Sequence, residues 1–530
     1  MVLSRRNVLR GIGVGLGTIG FASLANATDS TGRFLVDVGE RVSRIDVAAV
    51  EDAGVQVTRR LDPIGYVAVE ASKQDVEKLD YEWAPELQIR RIDPATTLDP
   101  AGSESASGTD YESYATDRFE PPDGDRNPVE ADLWEFQWDK QRQYLPEARE
   151  VADGSGTRVA IIDSGIDPDH PDLDLNAELS RDFTDHRLHP PDLEATAAAE
   201  RYYGIHGTHV AGIVAAQGIA VTGTAPGTDL VDCRVFGPLV RDASDRPGRD
   251  TELSRILDAI VYSAEIGADA ANMSFGGFVP SQHVTDDLLQ FYEDSIGAAI
   301  DYATGEGTVF VAAAGNEGHN IGWRPLSVPA ELGNVINVSA TGPLGYMDGV
   351  DGLEQRFTEP ASYTNYGPGT IDLAAPGGNG SGAPFAPIAP AAVDDRDVPE
   401  AAYDSVLSTS PDFGLAWLSG TSMAAPQVTG AVALIREVHP DTTPQEVYDV
   451  LAYTAETASA AGFTPETHGN GFVRPDLAVE ADPSSVKTSS GRGPSSGRGP
   501  RSGRGSGRGG DHSEGSSGRG GTSGRGPRSG

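Results

Sequence analysis

The chain has 530 residues, a length that suits one large domain with extensions or two to three domains. Its 40 lysine and arginine residues stand against 79 aspartate and glutamate residues, and the formal net charge of −39 excludes a general nucleic-acid-binding protein. The single cysteine, Cys233, excludes intramolecular disulfides and cysteine-rich metal clusters. Beyond the N-terminus no apolar, charge-free stretch reaches the roughly 18 residues of a transmembrane helix, so we predict no stable membrane span.

Such an excess of negative charge makes a folded domain repel itself at low salt. At about 1 M salt the Debye length falls to roughly 3 Å, and the repulsion is largely screened. We interpret the composition as an adaptation to high salt. An acidic disordered protein is the alternative, and the apolar strand-like runs described below argue against it.

Residues 1–27 have the order of a secretory signal, with a charged region, a short apolar region and a small-residue cleavage site. The adjacent Arg5 and Arg6 ahead of a glycine-rich apolar stretch are typical of a twin-arginine signal. We predict cleavage after Ala27 and export of the protein out of the cell by the twin-arginine route. A short membrane anchor is the alternative, but five glycines dilute the apolar stretch.

Residues 28–95 are predicted to form a small α+β unit. Residues 33–38 and 65–70 alternate or run apolar like strands, and residues 73–79 carry helical spacing. Residues 96–131 then have linker composition, rich in Asp, Ser, Gly, Pro and Thr.

Residues 483–530 are a low-complexity Ser/Gly/Arg segment that has nothing to bury. We predict a disordered, solvated tail. An electrostatic tether to acidic surfaces is the alternative, and high salt would weaken it.

Residues 132–482 alternate short β-branched runs with helical patterns, which predicts one α/β domain with a doubly wound, mostly parallel sheet. The runs lack strict alternation because strands of a parallel sheet are covered on both faces. The strand runs are residues 159–162, 230–235, 309–312 and 335–338, and the helical patterns are residues 208–216, 252–266 and 422–437.

Three residues far apart in the chain have the positions at which functional groups gather in such a sheet. Asp163 ends a strand run, whereas His206 and Ser422 stand at the starts of predicted helices. A serine hydroxyl becomes a nucleophile when an imidazole takes its proton. A carboxylate behind the imidazole fixes its tautomer and stabilises the imidazolium that forms. We therefore predict an Asp-His-Ser triad.

Asn316 follows another buried strand run, at residues 309–312. Its side-chain amide can donate to the oxyanion of a tetrahedral intermediate, and the Ser422 N–H at a helix start can donate to the same atom. We predict that these two groups stabilise the oxyanion.

At these residues the sequence resembles the subtilisin-like serine peptidases, or subtilases. All four motifs occur in the order of the family, and the resemblance covers about residues 135–480. It implies that His206 is the base and that His209, one turn further on, is structural. Together with the signal and the acidic composition, the chain resembles exported halolysin-type proteases of halophilic archaea.

The resemblance also implies a substrate-binding strand and a zymogen. Ser274, Phe275, Gly276 and Gly277 match the strand that lines the first specificity pocket, where the lack of an acidic group favours apolar or broad preference. The unit at residues 28–95 matches the inhibitory propeptide of the family. The expected partners are peptide substrates and this propeptide, and we expect a monomer.

The chemistry requires no cofactor, and we assign no metal-binding residue. Asp167, Asp169 and Asp172 are hard oxygen ligands of the kind that calcium prefers. In the family, the residue matching Asp172 joins a calcium site that the loop after the histidine helix completes. Here that loop is only residues 217–223 and lacks the usual Asn, so structural calcium stays open.

Two other functions remain as alternatives to a secreted zymogen of a serine endopeptidase. One is a catalytically silent scaffold that binds surfaces through its arginine-rich tail, although such a scaffold need not keep all four residues. The other is an acid-acting relative with Glu in place of the histidine, and His206 in its own motif argues against it.

Overall fold

The computed structural model describes about two thirds of the chain, all of it within one compact unit of residues 1–499. The described residues are 19–21, 32–39, 42, 44–91, 131, 133–184, 204–237, 240–241, 247–278, 285–322, 327–343, 357–379, 403–411, 414–457 and 463–486. Most of the predicted signal, the predicted linker apart from Ala131, and the tail beyond Val486 lie outside these residues.

The strands and helices are numbered in chain order. The strands are β1 (Ile19–Phe21), β2 (Gly32–Asp37), β3 (Gln56–Leu61), β4 (Tyr66–Ala71), β5 (Glu82–Pro85), β6 (Gln88–Arg91), β7 (Arg158–Asp163), β8 (Arg181–Asp182), β9 (Asp229–Arg234), β10 (Val240–Arg241), β11 (Pro247–Glu252), β12 (Ala270–Met273), β13 (Gly277–Phe278), β14 (Val309–Ala313), β15 (Ser327–Val328), β16 (Val335–Thr341), β17 (Leu373–Pro376), β18 (Val406–Ser410) and β19 (Gly414–Leu418). The helices are α1 (Arg44–Asp52), α2 (Lys73–Val76), α3 (Trp138–Arg142), α4 (Leu145–Arg149), α5 (Ile205–Ala215), α6 (Leu253–Glu265), α7 (Asp286–Gly305), α8 (Thr421–Val438), α9 (Pro444–Thr454), α10 (Pro465–His468) and α11 (Pro475–Glu480), with short 3₁₀ turns at Asp62–Ile64 and Trp134–Phe136.

The central sheet has seven parallel strands in the order β17-β16-β14-β12-β7-β9-β8. This confirms the predicted doubly wound α/β fold. From β7 the chain passes to β8 and β9 on one side, and it then returns to β12 on the other side. The carboxyl ends of β7 and β12 therefore flank the switch point of the sheet, where open α/β folds place their functional groups.

Helices cover both faces of this sheet, as the side chains of β7 show. Val159 and Ile161 belong to one core with α5 and α8, whereas Ala160 and Ile162 belong to the opposite core with α6 and α7. Because both faces are buried, the strand carries an uninterrupted apolar run rather than an alternating one.

Residues 32–91, called the N-terminal unit below, form a four-stranded antiparallel sheet in the order β3-β4-β2-β5 with α1 and α2. Its two faces are both apolar. Phe34 and Val36 pack in the unit's own core, whereas Leu35 and Ala68 join the core that contains α6 and α7. The predicted helix at residues 73–79 ends at Val76, since the following amides of Lys78 and Leu79 bond three residues back.

The N-terminal unit also bonds directly to the α/β domain. Glu86 accepts a hydrogen bond from the Ser254 N–H (2.7 Å) at the start of α6, and the Tyr292 hydroxyl donates to the Pro85 carbonyl (2.8 Å). Arg59 pairs with Asp258 on α6. Beyond these contacts, β6 pairs antiparallel with β11, the strand that leads into α6.

None of the helices in the described residues is long and apolar enough to cross a membrane.

Candidate active site

Asp163 and His206 form a hydrogen-bonded pair at the carboxyl edge of the sheet. Asp163 is the last residue of β7 and is completely buried, and His206 is the second residue of α5. The histidine Nδ1 lies 2.9 Å and 3.0 Å from the two carboxylate oxygens. Because a carboxylate only accepts hydrogen bonds, this contact places the ring proton on Nδ1 and leaves Nε2 as an acceptor.

The loop after β7 and the start of α5 approach each other closely enough to require glycine. A Cβ at Gly207 would lie 2.3 Å from the Gly165 carbonyl oxygen. Ser164 links the two segments, because its hydroxyl accepts from the Gly207 N–H (3.2 Å) and its own N–H donates to Asp163 (2.7 Å). The glycine next to His206 therefore permits the approach that brings His206 to Asp163.

Ser422 is the second residue of α8 and is 8% exposed. Its hydroxyl donates to the Ser274 carbonyl (3.0 Å), and the Ser274 hydroxyl donates to the Ser422 carbonyl (2.7 Å). Since Asn272 of β12 pairs with Ile161 of β7, Ser274 leaves its strand at the same edge as Asp163. Neighbouring strands lie about 4.8 Å apart, so the Ser274 main chain that Ser422 bonds lies at the edge of the sheet where Asp163 ends.

A buried chain of hydrogen bonds, which the sequence did not predict, joins the Ser422 segment of α8 to strand β12. Thr429, two turns along α8, donates to the Asn272 side-chain oxygen (3.0 Å), and the Asn272 amide donates to the Ser274 hydroxyl (2.8 Å). These three polar side chains are buried and satisfied, and satisfied buried networks hold one geometry. The start of α8 is thereby fixed against β12.

Asn316 lies in the loop after β14 and contacts the residue that precedes Ser422. Its side-chain oxygen accepts from the Thr421 N–H (2.8 Å) and from the Thr421 hydroxyl (2.9 Å). Its amide nitrogen lies 3.5 Å from the position that a Cβ would take on Gly420. With its oxygen held by α8, Asn316 can turn its N–H₂ group toward an atom bound at Ser422.

His209, one turn after His206 in α5, lies in the core and is not the histidine that bonds Asp163. Its Nε2 lies 2.9 Å and 3.1 Å from the carbonyl oxygens of Ala416 and Val406, which belong to the β18–β19 hairpin. Burial lowers the pKa of His209 to about 3, so its ring stays neutral. The structure thus places His206, and not His209, next to the carboxylate.

The predicted substrate-binding residues begin with Ser274, which contacts Ser422 as described. Phe275 is 5% exposed and packs edge-on against Phe236 at 5.5 Å between ring centroids, so its side chain lies in the core. Gly276 is partly buried, and Gly277 pairs with Val328 of β15. The side chains of Ser274 and Phe275 are thus engaged in contacts within the protein, and the substrate-binding role of the segment stays a prediction.

The described residues contain no group of three or more His, Cys, Asp or Glu side chains that could hold a metal ion. Asp169 is exposed, whereas Asp167 and Asp172 are buried and bonded to the protein. Asp167 accepts from the Asp169 N–H (3.1 Å), and Asp172 accepts from the loop after α5.

Comparison with known proteins identifies the family. A model of the Subtilase family matches residues 154–482, which is more than half of the chain. The chain belongs to the subtilase family of serine peptidases. Among its relatives is the thermophilic serine proteinase of Bacillus sp. (strain AK1), 33% identical over 331 residues, which are 62% of this chain and 63% of the relative.

The chain is also similar to a second peptidase in sequence and to a solved peptidase structure in fold. Thermitase of Thermoactinomyces vulgaris is 29% identical over 302 residues, covering 56% of this subtilase and 81% of thermitase. The crystal structure of the epidermin leader peptide processing serine protease from Staphylococcus aureus superposes with a TM-score of 0.60 and 21% identity, covering 87% of this chain and all of that one. At that identity the structural match shows the fold alone.

In this subtilase we expect replacement of Asn316 by Ala to lower kcat about 10²–10³-fold with little change in KM. That range was measured on the oxyanion donor of subtilisin, a member of the same family. Steady-state kinetics on a peptide substrate measure both constants.

Asn316→Asp is the matched variant, because its carboxylate still accepts from the Thr421 N–H but offers no donor. It should lose at least as much activity as the alanine variant. Full activity in Asn316→Asp would contradict the donor role.

Proposed function

We propose that this subtilase hydrolyses internal peptide bonds in proteins with Asp163, His206 and Ser422 as its catalytic residues. The observation that carries the proposal is the contact of the His206 Nδ1 with both oxygens of the buried Asp163, 2.9 Å and 3.0 Å away. This contact leaves the Nε2 of His206 free to act as a base at the edge of the sheet where Ser422 begins its helix.

The reaction runs through an acyl-enzyme. The Ser422 hydroxyl turns from the Ser274 carbonyl to His206, gives its proton to Nε2, and attacks the peptide carbonyl carbon. Hydrogen bonds of this kind are often misaligned before the substrate binds. The oxyanion accepts from the Asn316 side-chain amide and the Ser422 N–H, which has no partner within the first turn of α8.

His206 then returns the proton to the leaving amine, and the carbon–nitrogen bond breaks. A water molecule attacks the acyl-enzyme with His206 again as the base, and the acid product leaves Ser422. No step needs a cofactor or a metal ion.

The experiment is release of soluble peptides from casein by the purified chain, measured from low to multimolar sodium chloride. We expect hydrolysis, with the highest rate at high salt because the net charge of −39 is then screened. Absence of peptide release at every salt concentration would contradict the proposed activity. A rate that is highest at low salt would contradict only the adaptation to salt.

We further propose that the N-terminal unit is an inhibitory propeptide and that the protein is made as a zymogen. Three observations support this: the unit packs Leu35 and Ala68 on the core of α6 and α7, Glu86 bonds the start of α6, and β6 adds a strand to β11. An extended segment bonded to a sheet edge is also the way in which peptides commonly bind to proteins.

The segment after β6 leads into the predicted linker, where maturation would cut. We also propose that the protein is exported by the twin-arginine route and works outside the cell in a halophilic host. We propose further that it is a monomer. N-terminal sequencing of the exported protein tests the signal and the cleavage within the linker. The relatives named above come from bacteria, so the archaeal type rests on the acidic composition and the signal.

Docking of the N-terminal unit should weaken as pH rises, because of Glu86. Burial raises the pKa of Glu86 to about 7, from 4.5 for a free carboxyl, with Glu252 adding to the shift and the Ser254 N–H and Arg59 opposing it. Between pH 4.5 and 7 the folded chain thus binds more protons than the unfolded chain, and its free energy of unfolding falls as pH rises.

The test compares wild type with Glu86→Gln, a neutral isostere, by thermal unfolding over this pH range. We expect equal stability near pH 4.5 and a wild type less stable by about 3 kcal/mol above pH 7. Glu70→Gln, at an exposed site on β4, should show the same change of stability with pH as the wild type. A difference between Glu86→Gln and wild type that does not change with pH would contradict the prediction.

A further inference from the structure

The loop after α5, residues 217–223, encloses the side chain of Asp172, which is 1% exposed. In subtilases this carboxylate and this loop are the expected components of a calcium site. The geometry around Asp172 tests whether the residues of this chain fit such an ion.

Three main-chain N–H groups of the loop point at the carboxylate. One oxygen accepts from Ile219 (2.8 Å), and the other accepts from Ala220 (2.9 Å) and Val221 (3.0 Å). Successive N–H groups that converge in this way form an anion-binding nest. A cation bound to the same oxygens would face the positive ends of these three dipoles.

The oxygen atoms that could complete a calcium shell are also bonded to donors. The side chain of Gln137 pairs with the main chain of Thr222, accepting from its N–H (2.9 Å) and donating to its carbonyl (2.9 Å). The carbonyls of Ala220 and Val221 accept from the N–H groups of Leu133 (2.9 Å) and Gly218 (3.1 Å). The site has the donor set for an anion rather than for a divalent cation.

We propose that in this chain the Asp172 carboxylate takes the place of the calcium ion and itself holds the loop together. The loop in turn binds the segment that begins the α/β domain, through Gln137 and Leu133. The stability of this part of the fold then depends on Asp172 and is independent of calcium. The proposal does not depend on the peptidase activity.

The experiment is thermal unfolding of the full chain, with Ser422→Ala present in every sample to prevent self-digestion. Each variant is measured with excess EGTA and with excess calcium chloride at equal ionic strength. Asp172→Asn, which keeps one acceptor but turns an N–H₂ group toward the amides, should lower Tm by roughly 5–10 °C. The drop should be the same in EGTA and in calcium. Asp169→Asn, at an exposed site three residues before Asp172, should not change Tm.

A calcium site at Asp172 predicts a different pattern. Calcium would then raise the Tm of the parent chain and not that of Asp172→Asn, so the difference between them would shrink in EGTA. That result would overturn the proposal. If Asp172→Asn does not fold, Gln137→Ala provides the same comparison, since it too should lower Tm equally in both solutions.

Discussion

Replacing Ser422 with Ala is expected to lower kcat for peptide hydrolysis by roughly 10⁶, because the nucleophile is lost and His206 has no proton to accept. That size was measured in subtilisin, a relative within the family, where removing the serine costs about as much as removing the whole triad. The Ser274 hydroxyl still bonds the main-chain carbonyl at position 422, so the fold should be retained. Single-turnover kinetics on a peptide ester or amide measure the loss.

Ser419→Ala is the matched control for this variant. Ser419 lies three residues before Ser422, and its hydroxyl bonds Ser405 (2.8 Å). Its removal should change kcat less than about 10-fold, because a hydrogen bond of an uncharged hydroxyl contributes only about 1 kcal/mol. If Ser422→Ala retained activity within the range of Ser419→Ala, the assignment of the nucleophile would be wrong.

Replacing Asp163 with Asn should lower kcat about 10⁴-fold, although the two side chains have nearly the same shape. The carboxylate accepts from the His206 Nδ1 and from the Ser164 N–H (2.7 Å). An asparagine can present an N–H₂ group to Nδ1, which then has to be the acceptor. The proton moves to Nε2, and His206 can no longer accept the proton of Ser422.

Asp232→Asn is a control for the general effect of changing a buried carboxyl. Asp232 lies on the neighbouring strand β9, is completely buried, and accepts from the Ile166 N–H (3.1 Å). Burial raises the pKa of Asp232 to about 8, so the group is protonated at neutral pH and an amide replaces it without loss of charge. We expect kcat within about 10-fold of wild type. Equal losses in the two variants would indicate disturbed packing rather than a lost orienting charge.

The sequence predicted the fold and the places of Asp163, His206 and Ser422 in it, because both depend on local patterns. Uninterrupted apolar runs mark strands buried on two faces, and Asp163 was correctly placed at the end of one of them. The helices that carry His206 and Ser422 begin within three residues of their predicted starts, at Ile205 and Thr421. The carboxyl edge of a parallel sheet then brings such residues together.

Burial of charged residues could not be predicted in this way, because it depends on partners distant in the chain. Lys140 lies in a polar stretch, yet it is buried and donates to the Gln427 side chain (2.5 Å) and the Ile213 carbonyl (2.8 Å). Burial lowers the pKa of Lys140 to about 8. Its partners lie 287 and 73 residues away, so a local pattern carries no sign of them.

The strand β11 was missed for a related reason. Residues 247–252 contain Pro, Gly and Asp, which are rare in strands, so the sequence predicts no strand there. They become a strand because β6 and β10 pair with them on either side. The sequence left open whether Asp172 binds calcium. A carboxylate in a sequence does not reveal whether a cation or a set of N–H groups faces it.

The central claim is that Ser422 is a nucleophile activated by the Asp163–His206 pair. The measurement that tests it most directly is peptide mass spectrometry of the purified protein after reaction with a serine-reactive fluorophosphonate. We expect one adduct, on the peptide that contains Ser422, formed rapidly in wild type and much more slowly in Asp163→Asn. Casein hydrolysis that persists without any adduct on Ser422, or an adduct that forms equally fast in Asp163→Asn, would contradict it.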